Sequence, residues 1–412
     1  MQKSIKYNKI DKTVIIGFLI ALGIIYCTMN ENLAISSLLI SFSFVYVFVV
    51  FLYKSTHNTI NKSYIKILWL SCVLVFLNTS LSGLGGFDYY KKAIMYMSTI
   101  VWMFCGVSMN VSKKTAITIV VINLCINCLY LLFFQRGFSI YEGEVLLTLN
   151  FTNPNQTGMF LLNSILYIGI LIVAGKDLVK KKKYYIILLC LLIPLLVSVC
   201  QLLILTGCRS SFMSLALFFI LVLFDYVSRG HFKLKKWMSL AIAVIPFIFI
   251  FIYLSYVSTL NIDVSMGTEN AGKSSTTRVH IWKPIIDNFW HYFIIGDYYG
   301  ISNGTGMSQM HNTHLDVYAS YGIIPLILYI IILYKVINHS MNQANSRFQR
   351  ISLYAFVSCM VSCMFEASLV AGSAGMFLLT VGFLILANSN IHYENPTSKL
   401  CLPQGKHGKD SI

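Results

Sequence analysis

An arginine and a histidine within one polar stretch are the residues of this sequence best suited to chemistry. Arg278 lies inside residues 257–311, and His311 opens the run His311-Asn312-Thr313-His314-Leu315 at the end of that stretch. A guanidinium can hold a phosphate through two parallel hydrogen bonds, and an imidazole can take up a proton near neutral pH. We therefore expect this stretch to be the functional region of a chain that is otherwise largely apolar.

A second arginine, Arg209, occurs in the run Thr206-Gly207-Cys208-Arg209-Ser210-Ser211, between two hydrophobic windows. One interpretation is an anchor whose charged head reaches the lipid headgroups. The other is an anion site, because the hydroxyls and the unpaired N–H groups of a helix start would supplement the guanidinium. The sequence leaves both interpretations open.

The segment that begins at Arg278 has the spacing of an amphipathic helix. Its apolar residues recur at helical intervals: Ile281, Trp282, Ile285, Ile286, Phe289, Trp290 and Phe293. Such a helix can lie in the membrane interface, with Pro284 as a kink or as the start of its second part. Arg278 is then either incidental to a lipid-surface helix or is directed by that helix at a lipid-linked phosphate.

His311 and His314 are one helical turn apart, and Asp316 follows them. The pair could ligate a metal, but the sequence offers no third ligand at helical spacing, so we do not predict a metal site. A histidine at the interface often caps a helix. It can also act as a general base, since its ordinary protonation range is suitable and water can reach it.

Two further residues are candidates for the same site. Glu366 lies in the hydrophobic window 351–369, and carboxylates inside a membrane are costly and usually functional. Asn155 belongs to Asn153-Pro154-Asn155-Gln156, which has the composition of a turn before a helix. Its amide could also bind sugar hydroxyls.

Composition defines the class of protein that must position these residues. The 412 residues are 57% hydrophobic and 11% charged, which predicts an all-α, polytopic integral membrane protein. We predict one membrane domain over residues 1–412 with about twelve spans. The hydrophobic windows are 13–29, 33–53, 64–81, 93–110, 115–135, 157–174, 184–205, 210–227, 237–256, 312–334, 351–369 and 374–388.

The net charge of +16 is explained by orientation rather than by nucleic acid. If the N-terminus is cytoplasmic, 24 of the 31 Lys and Arg residues fall on the inner side, so both ends are predicted inside. Residues 257–311 then form the longer of two long outer loops, and the candidate site faces outward. Nucleotide-binding motifs are absent from the sequence, so we expect an already activated substrate and no cofactor.

Taken in order, these motifs resemble the O-antigen ligase/polymerase superfamily. The resemblance rests on four runs of sequence: Asn153-Pro154-Asn155; Thr206-Gly207-Cys208-Arg209-Ser210; Arg278-x-x-x-Trp282 with Gly296; and His311-Asn312-x-x-Leu315 with Gly322. It covers roughly the second half of the chain. Cys208 departs from the small or hydroxyl residue that is commoner in the family, and His314 adds a second candidate base.

The resemblance implies a GT-C-like glycosyltransferase acting on undecaprenyl-pyrophosphate-linked oligosaccharide at the outer face of the cytoplasmic membrane. Arg209 and Arg278 would hold the pyrophosphate, and His311 would activate the acceptor hydroxyl in a metal-independent, inverting reaction. We expect the substrate-binding residues to include Asn155, Trp282, Asn312, His314 and Glu366.

We favour a polymerase of surface polysaccharide, with an O-antigen ligase and a lipid-linked oligosaccharide flippase as alternatives. A flippase would have charges spread through several spans, whereas here they cluster at one face. The expected partners are the lipid-linked oligosaccharide, membrane lipid, a flippase and a chain-length regulator.

Overall fold

The computed structural model has the predicted all-α architecture. It describes residues 62–81, 87–108, 111–133, 137–141, 144–149, 151, 154–179, 181–230, 232, 235–259, 274–297, 310–366 and 376–390, with scattered positions between 12 and 49. The predicted windows 13–29 and 33–53 lie largely outside the described residues, and Asn153 lies outside them. The total of about twelve spans therefore stays a prediction.

The described elements with defined bounds are thirteen α-helices, one 3-10 helix (Gly175–Asp177) and one short hairpin. The helices are α1 (Lys62–Leu81), α2 (Phe87–Ser108), α3 (Lys113–Phe133), α4 (Pro154–Ala174), α5 (Lys182–Leu205), α6 (Arg209–Val227), α7 (Lys236–Thr259), α8 (Ser274–Asp287), α9 (Phe289–Tyr292), α10 (Thr313–Tyr321), α11 (Ile323–Gln343), α12 (Arg347–Phe365) and α13 (Met376–Ala387). The antiparallel hairpin pairs β1 (Phe138–Tyr141) with β2 (Glu144–Leu147).

Seven helices of the described part are long and apolar enough to cross a membrane: α1, α4, α5, α6, α7, α11 and α12. These seven helices differ widely in how much of their apolar window is buried. In α4 and α12, 89% and 78% of the apolar window is buried, against 22% in α5 and in α7. Helices α4 and α12 therefore form the centre of the bundle, and α5 and α7 carry apolar side chains on its outside, as lipid-facing helices do.

The predicted window 312–334 is divided into two helices at Gly322. This glycine has φ 89°, and a Cβ at its position would lie 2.3 Å from the carbonyl oxygen of Ile294. The N–H of Ile323 donates to the carbonyl of Phe293 over 2.9 Å. The break follows from this close approach of main chains, which only glycine permits.

Glu366 lies at the end of a helix rather than within a span. Helix α12 ends at Phe365, and Glu366 is extended, with φ −143° and ψ 145°. The apolar pattern that starts at Arg278 is also interrupted, because Asn288 separates α8 from α9. Both breaks bring polar main chain and side chains together at one end of the bundle.

Candidate functional site

The carboxylate of Glu366 joins three of the predicted site residues. Its Oε2 lies 2.9 Å from His311 Nδ1, and its Oε1 accepts from Asn155 Nδ2 over 3.0 Å and from Arg278 Nη2 over 3.4 Å. Glu366 lies at the end of α12, and its three partners come from the start of α4, the loop before α10, and α8. The structure thus brings four distant stretches of sequence to one carboxylate.

The pairing with Glu366 orients the imidazole of His311. A carboxylate can only accept hydrogen bonds, and the donors on Oε1 suit an ionised group. Nδ1 of His311 therefore donates to Oε2, which leaves the lone pair of a neutral ring on Nε2. The His311 side chain is 22% exposed, against 7% for Glu366. This is the arrangement of a general base oriented by a buried acid.

The main chain at His311 is held in an unusual conformation. His311 has φ 48°, in the left-handed region that non-glycine residues rarely adopt. The preceding residue is fixed on both sides, because Met310 N–H donates to Asp316 Oδ1 over 3.2 Å and Trp282 Nε1 donates to Met310 O over 2.7 Å. The surrounding contacts thus stabilise a strained backbone that places the imidazole beside Glu366.

Asp316 is itself paired with a buried lysine from another helix. Lys92 Nζ, on α2, lies 2.9 Å from Asp316 Oδ1, and both side chains are buried. The same carboxylate oxygen accepts the Met310 N–H. The ion pair is therefore connected to His311 through the main chain of the preceding residue. Removing either partner would leave an uncompensated charge in the interior, which is strongly unfavourable.

The start of α10 is fixed by Asn312 and Thr313. Asn312 Oδ1 accepts from Leu315 N–H as the N-cap, while its Nδ2 donates to the carbonyls of Pro246 and Met364. Thr313 Oγ1 donates to the carbonyl of Glu366 over 3.0 Å. The two residues that follow His311 are therefore attached to α7 and to the end of α12.

Arg278 lies beside Glu366 and over a neighbouring aromatic ring. Its Nε donates to the carbonyl of Phe365 over 3.3 Å, and its Cζ is 5.5 Å from the centroid of the Phe365 ring. Two hydrogen bonds and one ring contact, all with Phe365 and Glu366, thus fix the plane of the guanidinium next to the pair of His311 and Glu366. A guanidinium in this position can bind an anion that approaches His311.

Arg209 is the first residue of α6, and its neighbour Cys208 contacts the site residue Asn155. The Cys208 thiol donates to the carbonyl of Asn155 over 3.8 Å and lies 3.1 Å from Ser211 Oγ. A Cβ at Gly158 would lie 2.3 Å from Cys208 Cβ, so α4 and the start of α6 are in close contact. Arg209 itself is exposed, and its guanidinium forms no ion pair within the described part of the chain.

His314 contacts different residues from those that His311 contacts. Its Nε2 lies 2.8 Å from the carbonyl of Ala243, and its ring meets Tyr329 edge-on at 5.2 Å. The side chain is fully buried, and in the described structure Nδ1 has no partner. Because a carbonyl only accepts, Nε2 carries the proton, so these contacts favour a structural role. No group of three potential metal ligands occurs among the residues described.

The predicted residues differ in how close they come to the centre of the site. Three of them bind the carboxylate of Glu366: His311, Arg278 and Asn155. Trp282 and Asn312, in contrast, are buried and bind the protein's own main chain. Their contact with substrate stays a prediction. Sequence reasoning missed the positioning pair Lys92–Asp316. Its available signal was Lys92 itself, a basic residue on the predicted outer side at the edge of an apolar window.

A family model matches part of the chain. Residues 193–330 match the model described as O-antigen ligase, a stretch that contains Arg209, Arg278 and His311. Asn155, Glu366 and Lys92 lie outside the matched residues. No curated protein and no solved structure matches the chain. This match covers about a third of the chain, and it supports the resemblance to the O-antigen ligase/polymerase superfamily of membrane glycosyltransferases.

Proposed function

We propose that this protein polymerises lipid-linked oligosaccharide repeat units into a surface polysaccharide. Undecaprenyl-pyrophosphate-linked repeat units are the donor, and the reaction takes place at the outer face of the cytoplasmic membrane. The observation that carries the proposal is the Glu366 carboxylate, which binds His311 through one oxygen and Arg278 through the other. A base and an anion-binding group side by side are what transfer from a pyrophosphate lipid needs.

In the proposed step, an acceptor sugar hydroxyl attacks the anomeric carbon of the donor sugar. Its proton passes to Nε2 of His311, and Glu366 stabilises the imidazolium that forms. The new C–O bond forms as the bond from the anomeric carbon to the pyrophosphate breaks, with inversion. The electron pair of the broken bond leaves with undecaprenyl pyrophosphate.

The two arginines stabilise that leaving group. Negative charge grows on the pyrophosphate as the bond breaks, and preorganised guanidiniums bind it more strongly in the transition state than in the ground state. Arg278 is already held beside His311, whereas the exposed Arg209 is available to an incoming pyrophosphate. We assign no metal to this step.

Purified protein supplied with undecaprenyl-pyrophosphate repeat units tests the proposal. A ladder of products without added acceptor is expected from the wild type and not from Arg278→Ala. Intact polymer made by Arg278→Ala at a normal protein level would contradict the enzymatic assignment. Unpolymerised units that accumulate inside cells lacking the protein would indicate a flippase instead.

An O-antigen ligase is the second candidate, since the matching family model carries that description. A ligase transfers the finished glycan to lipid A-core or to protein and uses the same base and leaving group. The same assay separates the two functions. Product that forms only when lipid A-core or another acceptor is supplied assigns a ligase.

A further inference from the structure

A cavity of about 500 Å³ lies at the end of the bundle opposite the candidate site. Helix α6 begins at Arg209 and ends beside this cavity, and α12 begins at the cavity with Arg347 and ends at Phe365. Each helix has 19 residues and so spans about 28 Å at 1.5 Å per residue. The cavity and the candidate site are therefore about one hydrocarbon thickness apart.

The lining of the cavity has an excess of positive charge. Arg229, Arg347 and Arg350 surround one carboxylate, Asp225. Arg350 pairs with both oxygens of Asp225, with Nε 2.7 Å from Oδ1 and Nη2 3.4 Å from Oδ2. Arg347 Nε is 4.0 Å from Oδ2 at the rim. Among the residues that line the cavity, three guanidiniums therefore exceed the one carboxylate by two positive charges.

The main chain keeps Arg229 at the cavity. Arg229 has φ 51° and Gly230 has φ 79°, two successive left-handed residues. A Cβ at Gly230 would lie 2.7 Å from Arg350 Nη2, and Gly230 N–H donates to the carbonyl of Asp225 over 2.8 Å. The main chain of this turn therefore packs closely against the Arg350 guanidinium. Within the described residues Arg229 has no ion-pair partner, so its position is set by the turn.

One side of the cavity is apolar and continuous with the outside of the bundle. Tyr226 and Val227 line the cavity, and both side chains are exposed at the end of α6. Ligands that approach along this side meet apolar groups first and guanidiniums next. An amphiphile with an anionic headgroup fits this arrangement of apolar and basic groups, since basic pockets between membrane helices suit anionic headgroups.

We propose that this cavity binds the phosphate group of an anionic membrane lipid. Guanidiniums bind phosphate oxygens through paired, charge-assisted hydrogen bonds, and Arg229 and Arg347 supply the charge that Asp225 does not neutralise. A soluble phosphate would present the same chemistry, so the experiment has an arm for each source. The predicted orientation places the cavity at the cytoplasmic leaflet.

The test measures lipid retention by the purified full-length protein in neutral detergent. The lipid probes are phosphatidylglycerol and phosphatidylcholine, counted on the intact protein by native mass spectrometry. The wild type is expected to prefer phosphatidylglycerol, and R229Q/R347Q should weaken that binding about tenfold or more, as expected for the loss of charge-assisted hydrogen bonds. Arg350 is left unchanged because it neutralises the buried Asp225.

The matched control removes two charges elsewhere near the same end of the bundle. K235Q/K236Q alters exposed lysines at the start of α7 and should leave lipid retention unchanged. An equal loss in this control would overturn the proposal, because it would reduce the effect to general surface charge. The unfolding temperature of each variant verifies that it is folded.

The second arm titrates inorganic phosphate without lipid. Saturable binding of phosphate that R229Q/R347Q abolishes, with no lipid preference, would assign the site to a soluble phosphate. Absence of binding in both arms would overturn the proposal. The readout is ligand binding, so it is independent of the glycosyltransferase assay.

Discussion

His311 Nδ1 lies 2.9 Å from Glu366 Oε2, although 55 residues separate the two in sequence. The other oxygen of the same carboxylate accepts from Arg278. One acid therefore fixes the orientation of the candidate base and the position of the candidate anion-binding group. A change at Glu366 alters both at once, which makes it the most informative position of the site.

Glu366→Gln is expected to lower kcat by about 10²–10⁴-fold, the range lost when a base loses the acid that orients it. The amide has nearly the same size, so packing is preserved, but it cannot stabilise a protonated His311. KM for the lipid-linked donor should change far less than kcat, because the loss falls on the transition state. Steady-state kinetics with purified protein measure both constants.

The result separates a chemical role of Glu366 from a merely structural one. A structural role would lower the amount of folded protein and raise KM, while kcat per folded molecule stayed near that of the wild type. That outcome would remove Glu366 from the proposed mechanism.

Lys92→Met is expected to destabilise the protein by about 3–5 kcal/mol, because it leaves Asp316 buried and unpaired. The double variant Lys92→Met/Asp316→Asn removes the orphaned charge and keeps an oxygen that can accept the Met310 N–H. It should recover most of the stability and part of the activity. Thermal unfolding in detergent and the polymerisation assay measure the two effects.

A double variant as unstable as Lys92→Met alone would show that the two residues are not energetically coupled. Asp316→Leu is the matched comparison for activity, because it removes the acceptor for Met310 N–H as well as the charge. The double variant Lys92→Met/Asp316→Leu should therefore lose more activity than Lys92→Met/Asp316→Asn does.

The sequence was sufficient to predict several of the long apolar helices. Windows 184–205, 210–227 and 237–256 correspond closely to α5, α6 and α7. Lipid-facing helices are apolar around most of their circumference, so their bounds follow from composition alone. The break at Gly322 did not follow from composition, because it depends on the approach of the main chain at Ile294.

Residue type identified several members of the candidate site but not their partners. Arg278, His311 and Glu366 were predicted from chemistry and setting, whereas their shared hydrogen bonds join α8, the loop before α10 and the end of α12. Lys92 and Asp316 are 224 residues apart, and no local pattern relates them. Contacts of this kind are products of tertiary packing, which spacing along the chain does not encode.

Trp282→Phe is expected to lower stability by about 1 kcal/mol, the net worth of one hydrogen bond, and to reduce activity. The change keeps an aromatic ring between Phe249 and Tyr253 but removes the indole N–H that donates to Met310 O. The strained main chain at His311 then loses one of its supports. Unfolding temperature and kcat are the measurements.

Trp290→Phe is the matched control, since Trp290 is 78% exposed. It should leave stability and kcat close to the wild-type values. Equal effects of the two substitutions would mean that the hydrogen bond to Met310 does not position His311.

Gly158→Ala is expected to destabilise the contact between α4 and α6 and to reduce activity. The new Cβ would lie 2.3 Å from Cys208 Cβ, and overpacking of this kind typically costs about 1–3 kcal/mol. Displacement of Cys208 also moves the adjacent Arg209 and disturbs the bond to Asn155. Adding Cys208→Gly removes both of the nearest atoms, so the double variant should regain stability.

Gly175→Ala, whose nearest contact is 3.4 Å, is the control and should be nearly neutral in thermal unfolding and polymerisation. If Gly158→Ala behaved like Gly175→Ala, the close contact between α4 and α6 would not determine where Arg209 lies relative to Asn155.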